Sequence, residues 1–136
     1  MGFRVFGAYH VFLYRLTGGL LGHRVGHLKL LLLDHVGSKS GKHYTAPLLY
    51  GQDGDNFVVV ASKSGSIKHP AWYRNLVAQP DSEVQVGRHR IAVRARTATA
   101  TEKPRLWKIM ADQWPGYNGY QRSTDREIPV VVLEPR

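Results

Sequence analysis

The stretch that decides the fold runs from residue 28 to residue 61. It is Leu28-Lys-Leu-Leu-Leu-Leu-Asp-His-Val36, Gly37-Ser-Lys-Ser-Gly-Lys42, His43-Tyr-Thr-Ala-Pro-Leu-Leu-Tyr50, Gly51-Gln-Asp-Gly-Asp55, Asn56-Phe-Val-Val-Val-Ala61. Three apolar runs of strand length alternate with two turn signals. Leu28 to Val36 is predicted as a buried strand. His43 to Tyr50 is predicted as a second, reached through the polar Gly/Ser/Lys turn 37–42. Gln52-Asp-Gly-Asp55 is a hairpin turn. Phe57 to Ala61 is almost wholly apolar, as expected of a central strand covered on both faces. Strands joined this closely form antiparallel hairpins rather than βαβ units.

The same pattern continues toward the C-terminus. Ser62 to His69 is a polar loop. Pro70 to Ala78 is predicted as a short helix that opens on Pro and ends at Gln79-Pro80. Glu83 to Val86 and Arg90 to Arg96 make a hairpin across Gly87-Arg88. In its second strand Ile91, Val93 and Ala95 alternate with Arg90, Ala92, Arg94 and Arg96, so one face is core and the other carries three arginines. Thr99-Ala-Thr-Glu102 has the capping-box pattern and opens a helix from about Thr101 to Gln113. Trp114-Pro115-Gly116 breaks it, and Ile128 to Leu133 is the last strand. Toward the N-terminus, Val5, Tyr9, Phe12, Leu13, Leu16 and Leu20 form an apolar stripe at helical period, flanked by Arg4, His10 and Arg15 and stopped at Gly18-Gly19. This amphipathic segment within residues 1–27 is either a helix packed on the core or an interfacial helix lying on a membrane. Six strands and three helices in a single domain over 1–136 predict an α+β barrel of mostly antiparallel strands with peripheral helices, not a doubly wound sheet.

The chain of 136 residues holds no cysteine, which excludes disulfides, thiolate metal sites, iron–sulfur clusters and a Cys nucleophile. Apolar residues make up 43%, enough for a packed core. Nineteen Lys and Arg against ten Asp and Glu give a net charge of +9, which predicts an anionic partner. No run reaches the roughly 20 apolar residues of a membrane span, and the N-terminus lacks a signal-peptide pattern. The expected location is cytoplasmic, with peripheral contact at the membrane if the N-terminal stripe is interfacial.

Four groups of residues invite chemistry. Gly37-Ser-Lys-Ser-Gly-Lys42 suits either an anion cradle, whose glycines let backbone N–H groups converge, or a solvated basic turn. It is not a Walker A loop, because Val36 and His43 stand where Gly and Ser or Thr are required. Ala61-Ser-Lys-Ser-Gly-Ser66 is a second loop of that kind, leading through Lys68 and His69 into the helix at Pro70, whose N-terminus favours an anion. Trp114, Tyr117 and Tyr120 are spaced by three around Pro115, Gly116 and Gly119. That composition makes a poor core helix and suits the wall of a pocket, or else a structural aromatic cluster. His23 and His27 have the spacing of two zinc ligands, but there is no HExxH and no third ligand, so no metal is expected. The three arginines of the 90–96 strand lack interleaved aromatics, which argues against nucleic acid.

Taken together, these motifs resemble the deazaflavin-dependent nitroreductase family, the actinobacterial oxidoreductases that use coenzyme F420 on a split β-barrel. The resemblance rests on Gly37 to Lys42, Thr45-Ala-Pro-Leu-Leu-Tyr50, Asp53-Gly-Asp55, Val58-Val-Val-Ala-Ser-Lys63, His69-Pro-Ala-Trp-Tyr-Arg-Asn-Leu76, Val84-Gln-Val86, Arg94-Ala-Arg96, Tyr117, Tyr120-Gln121 and Arg126-Glu-Ile-Pro129. It runs in order from about Leu30 to Arg136. It implies an FMN-binding-like split barrel and hydride transfer from the reduced deazaflavin to a small lipophilic electrophile such as a quinone, enone or nitro compound. By resemblance, Lys39 with Ser38, Ser40 and Tyr44 binds the phosphate and anionic tail. Pro47 lies against the deazaflavin, Ala61, Ser62 and Lys63 line the ring and ribityl chain, and Pro70, Ala71, Trp72 and Asn75 complete the groove. Ser62, Trp114, Tyr117 and Tyr120 face the substrate. The chain departs from the family pattern at Trp114, where Tyr is frequent, and at Ser38, where Arg is common. FMN in the same barrel, or F420 bound without catalysis, are the alternatives, and an oligomer is compatible with the sequence.

Overall fold

The computed structural model describes residues 24–25, 28–65 and 68–136. The amphipathic segment expected within 1–27 and the pair His23 and His27 lie outside the described residues, apart from a short strand at 24–25.

Among the described residues eight strands form one sheet: β1 (Arg24–Val25), β2 (Leu28–Val36), β3 (His43–Leu49), β4 (Gly51–Asp53), β5 (Asn56–Val60), β6 (Asp81–Val86), β7 (His89–Thr97) and β8 (Val130–Pro135). The order is β1-β2-β6-β7-β8-β5-β4, with β3 paired to β2, and every pairing is antiparallel. Among the described residues three α-helices lie against it: α1 (Ala71–Ala78), α2 (Lys103–Gln113) and α3 (Gly116–Arg122). The α+β architecture of antiparallel strands expected from the hairpin pattern, and the split barrel that the resemblance implies, are the fold observed.

The all-apolar strand is explained by its two faces. Phe57, Val59 and Ala61 point into a core shared with Leu31, Leu33, Tyr50, Val93, Val131 and Leu133, closed by Trp72 and Leu76 of α1. Val58 and Val60 point the other way, into a second core with Val130 and Val132 of β8, Leu106 and Met110 of α2, and Tyr117 of α3. Strands β5 and β8 are therefore apolar at both parities because helices cover one face and the curled sheet the other.

The differences from expectation are local. Two further short strands, β1 and β4, extend the edges. The last strand starts at Val130, two residues late, because its register is set by Phe57↔Leu133 on β5 and Val93↔Pro135 on β7. Residues 116–122 are helical despite two glycines, for Pro115 begins the turn at φ −58° and Tyr117 anchors it in the second core. Before α2 the capping box closes in both directions: Thr99 N–H donates to Glu102 Oε1 at 2.8 Å and Glu102 N–H to Thr99 Oγ1 at 3.3 Å. Pro47 sits inside β3, which pairs only with β2 among the described residues, so its missing N–H falls on the edge of the sheet.

Candidate active site

Antiparallel alternation fixes where the loops emerge. With β2 taken as running up, β6 runs down, β7 up, β8 down and β5 up. The end of β2, the start of β3, the end of β5, the start of β6, the end of β7 and the start of β8 therefore share one end of the sheet. Loop 37–42, residues 61–65 and 68–69, and the segments leading into α1 and out of β7 belong to that end, while α2 packs along the second core and its Arg105 reaches Asp53 beside the Gly54 turn. The hairpin turns at Gly54 and Gly87 lie at the other.

The first loop is a closed turn. Gly37 N–H donates to the Lys42 carbonyl at 2.8 Å and Gly41 N–H to the Gly37 carbonyl at 2.9 Å. Lys42 N–H donates to Ser40 Oγ at 3.2 Å, and Ser38 N–H to Asn75 Oδ1 at 3.0 Å. Four amides of the expected cradle are thus satisfied by the protein itself. What the turn presents outward is side chains: Ser38, Lys39, Ser40 and Lys42 are exposed, and beside them Tyr44 is 46% exposed. Asn75, buried on α1, ties this turn to the helix and also meets His35 Nδ1 through its Nδ2 at 2.8 Å. Pro47 is half-buried farther along β3.

The second loop is held by an arginine that the sequence reading assigned no role. Arg126 Nη2 donates to the carbonyls of Ala61 and Ser62 at 3.2 and 2.6 Å, and Nη1 lies 3.1 Å from His69 Nδ1. Ala61 and Ser62 are buried, while Lys63 is exposed and left-handed at φ 45°. Gln121 places Arg126, donating to its carbonyl at 2.9 Å and accepting Ile128 N–H at 2.9 Å. The signal for this clamp was the Arg126-Glu-Ile-Pro129 run itself: a lone Arg just before a buried strand. His69 packs on Tyr73 with ring centroids 5.0 Å apart, and burial, with Arg126 and Arg74 nearby, holds its pKa below the ordinary histidine value. Pro70 is buried at the start of α1, Ala71 is exposed, and Trp72 is a core residue closing the first cluster.

Among the expected aromatic positions, Trp114 is 39% exposed and its Nε1 donates to the Tyr120 hydroxyl at 3.4 Å. Tyr120 is half-buried and stands edge-on to Tyr117, with centroids 6.1 Å apart. Tyr117 is 6% exposed, flanked by Trp107 at 6.2 Å, and burial pushes its phenol above the ordinary range, so it stays protonated. Its place is in the core behind Tyr120. The backbone of Tyr120 lies directly against Gly65, which brings α3 onto the second loop.

Charge is distributed unevenly. Arg90 pairs with Glu83 at 2.7 Å, Arg94 with Asp81 at 2.8 Å, and Arg96 with Glu102 and with Glu134, the latter at 3.1 Å. Lys39, Lys42 and Lys63 are exposed and have no carboxylate partner among the described residues. No cluster of metal-ligating side chains and no helix long and apolar enough to cross a membrane occurs among the described residues. A cavity of about 270 Å³ between α1 and the β7–β8 pair is lined by Tyr73, Leu76, Val77, Ala95 and Val131, and no expected site residue reaches it.

The profile of the F420H(2)-dependent quinone reductase family matches residues 8–135. A protein of Mycobacterium tuberculosis (strain ATCC 25618 / H37Rv) named F420H(2)-dependent quinone reductase is 42% identical over 131 residues, 93% of this chain and 88% of that protein. A solved structure of an F420-H2 dependent reductase (FDR-A) is 38% identical, covers 77% of this chain and 93% of its own, and superposes with a TM-score of 0.71. A second, described as a domain-swapped dimer, is 34% identical over 93% of this chain and 96% of its own, with a TM-score of 0.75. The chain belongs to the F420H(2)-dependent quinone reductase family, oxidoreductases whose cofactor is coenzyme F420.

Proposed function

We propose that the chain reduces a small lipophilic electrophile of the quinone type, at the end of the sheet where loops 37–42 and 61–65 and helix α1 converge. The observation that carries this reading is the separation of charge. The β7 arginines are neutralised by carboxylates, while Lys39, Lys42 and Lys63 stand exposed and unpaired among the described residues at the loop end. A cofactor with a phosphodiester and an anionic tail fits that donor set.

Lys39, with Ser38 and Ser40, holds the phosphate and tail, and Tyr44 lies alongside. Pro47, Ala61, Ser62 and Lys63 line the ring and ribityl chain. Pro70, Ala71, Trp72 and Asn75 frame the groove, Trp72 by anchoring the start of α1 in the core and Asn75 by fixing the turn through Ser38. Reduced coenzyme F420 supplies a hydride when bound there. Trp114 and Tyr120 pack a flat substrate in place. The hydroxyl of Tyr120 or Ser62 hydrogen-bonds the oxygen on which negative charge develops and delivers the proton that completes the hydroquinone. Tyr117 backs Tyr120 from the core.

Titration with coenzyme F420 and, in parallel, FMN, read by tryptophan and cofactor fluorescence, tests the cofactor. Reduction of a soluble naphthoquinone by reduced F420 tests the reaction. Binding of F420 and not FMN, weakened in Lys39→Ala, is expected; binding of FMN alone, or of neither, overturns the reading.

The apolar stripe from Val5 to Leu20 supports uptake of quinone at a lipid surface. Co-sedimentation with anionic liposomes, lost in a Phe12→Glu, Leu16→Glu variant, is the corresponding test. Self-association, suggested by the dimeric relative, is checked by sedimentation velocity.

A further inference from the structure

The inward row of β2 is Leu31, Leu33 and then His35, a titratable ring where the alternation calls for a third apolar side chain. His35 is 8% exposed, and Tyr44 stacks on it at 5.5 Å and 23°. Its Nδ1 lies 2.8 Å from Asn75 Nδ2. Asn75 Oδ1 accepts Ser38 N–H at 3.0 Å. An amide N–H can only donate, so Asn75 Oδ1 must face Ser38 and its NH₂ must face the ring. The ring nitrogen there must carry a lone pair, which puts the single proton of His35 on Nε2.

We propose that His35 is a positioning residue of the cofactor site: as a neutral acceptor it fixes the Asn75 amide, which in turn anchors the 37–42 turn to α1 through Ser38. The proposal rests on the reading of that turn as the cofactor's phosphate loop. A proton on Nδ1 sets two donors face to face. Asn75 then has to rotate, Ser38 loses its acceptor, and the turn is released from the helix.

The surroundings favour the neutral ring. Burial holds the His35 pKa below the ordinary value, against the opposing pull of Asp34. The charged and titratable groups on the elements packed around it are Lys29 and Asp34 on β2, Lys39 and Lys42 in the turn, and His43 and Tyr44 on β3. Asp81 and Glu83 stand on β6, and Tyr73 and Arg74 on α1. Asp34 is itself engaged by Thr45 Oγ1 at 3.0 Å and lies 3.8 Å from Arg90. The sign separates this relay from plain electrostatics. A new positive charge beside a cationic loop tightens an anionic ligand; release of the loop weakens it.

Long-range ¹H–¹⁵N spectra of the free wild-type protein read the tautomer directly. A protonated Nε2 with bare Nδ1 is expected, and a proton on Nδ1 at neutral pH overturns the proposal. On acidification from about pH 7.5 to about pH 5, the Ser38 amide is expected to shift with the same midpoint as the His35 ring. In His35→Gln, whose amide oxygen accepts from Asn75 without titrating, that shift disappears. A Ser38 amide that ignores His35 in the wild type overturns the proposal without recourse to any variant. The F420 dissociation constant supplies the last reading. It should rise on acidification about fivefold more in the wild type than in His35→Gln, the effect of one net hydrogen bond. Tighter wild-type binding in acid, relative to His35→Gln, overturns the relay. Failure of F420 to bind while the spectra behave as expected overturns the cofactor reading and upholds the relay.

Discussion

Arg126 and His69 are joined across 3.1 Å, from Nη1 to Nδ1, and the same guanidinium reaches back through Nη2 to the carbonyls of Ala61 and Ser62. One side chain therefore ties the bend after β5 to the entry of α1, the two segments expected to flank the cofactor. Removing it takes the guanidinium from the Ala61 carbonyl and the His69 ring nitrogen, and leaves the Ser62 carbonyl with Gly65 N–H at 3.0 Å. Arg126→Met is expected to cost about 1–2 kcal/mol in urea unfolding, the range of a half-buried hydrogen bond to a charged group, and to weaken F420 binding about tenfold. Arg126→Lys keeps the charge but cannot span three acceptors with one planar fork, so it should recover less than half of the affinity. An unchanged F420 dissociation constant in Arg126→Met removes the clamp from the site.

Two imidazoles, the buried His35 and the half-buried His69, set an acid limit on stability. His35 is held below the ordinary histidine pKa by burial, partly offset by Asp34, and His69 by burial, then Arg126 and Arg74. For a lowered folded-state pKa, the unfolded chain binds protons first as pH drops. The stabilisation is therefore complete above the ordinary value near pH 6.5 and is lost as pH falls through the lowered ones. A melting temperature that is level between about pH 8 and about pH 7 and declines below about pH 6 is expected. A His35→Gln, His69→Gln double variant should flatten part of that decline. A melting temperature that climbs in acid contradicts this account.

Gly65 and Gly54 separate close packing from turn geometry. Both are left-handed, at φ +77° and +62°. A Cβ on Gly54 meets nothing within 4 Å, whereas one on Gly65 comes within 2.9 Å of the Tyr120 carbonyl and 3.0 Å of its Cα. Gly54→Ala should cost about 1 kcal/mol, the left-handed penalty alone, and leave quinone turnover intact. Gly65→Ala should cost clearly more and lower turnover, because α3 has to move and carries Tyr120 with it. Equal costs for the two, measured by thermal unfolding, refute the contact.

Much of this architecture is legible in the sequence, for reasons visible in particular residues. Asp53-Gly54 and Gly87-Arg88 fix tight turns locally, and the unbroken Phe57 to Ala61 run demands cover on both faces, so the order of hairpins follows. What escaped the reading is what depends on partners distant in sequence. Arg126 finds its acceptors 57 to 65 residues away, and His35 its partner Asn75 40 residues away. Residues 116–122 form a helix because Tyr117 is buried against β5 and β8, a tertiary gain that outweighs the cost of Gly116 and Gly119. For the first loop the sequence left two readings open, a cradle of converging amides and a solvated basic turn. Glycine spacing signals that the backbone can turn there, but not that Ser38 N–H is already taken by a side chain of α1.

The last prediction concerns the aromatic wall. Trp114 and Tyr120 are linked through Nε1 and the phenol oxygen at 3.4 Å, with Tyr117 buried behind them. If the Tyr120 hydroxyl stabilises developing charge, Tyr120→Phe lowers kcat for naphthoquinone reduction about a hundredfold, at the low end of a positioned proton donor, while F420 affinity is unchanged. Ser62→Ala should do the same if the proton comes from that side, and the larger effect identifies the donor. Tyr117→Phe keeps the core ring and removes a hydroxyl that burial holds protonated, so its effect on kcat should be the smallest of the three. Trp114→Ala should raise the quinone KM more than it lowers kcat, as expected for loss of a stacking surface that binds ground and transition states alike. Equal kcat in wild type, Tyr120→Phe and Ser62→Ala would leave the proton to solvent and reduce the wall to a binding surface.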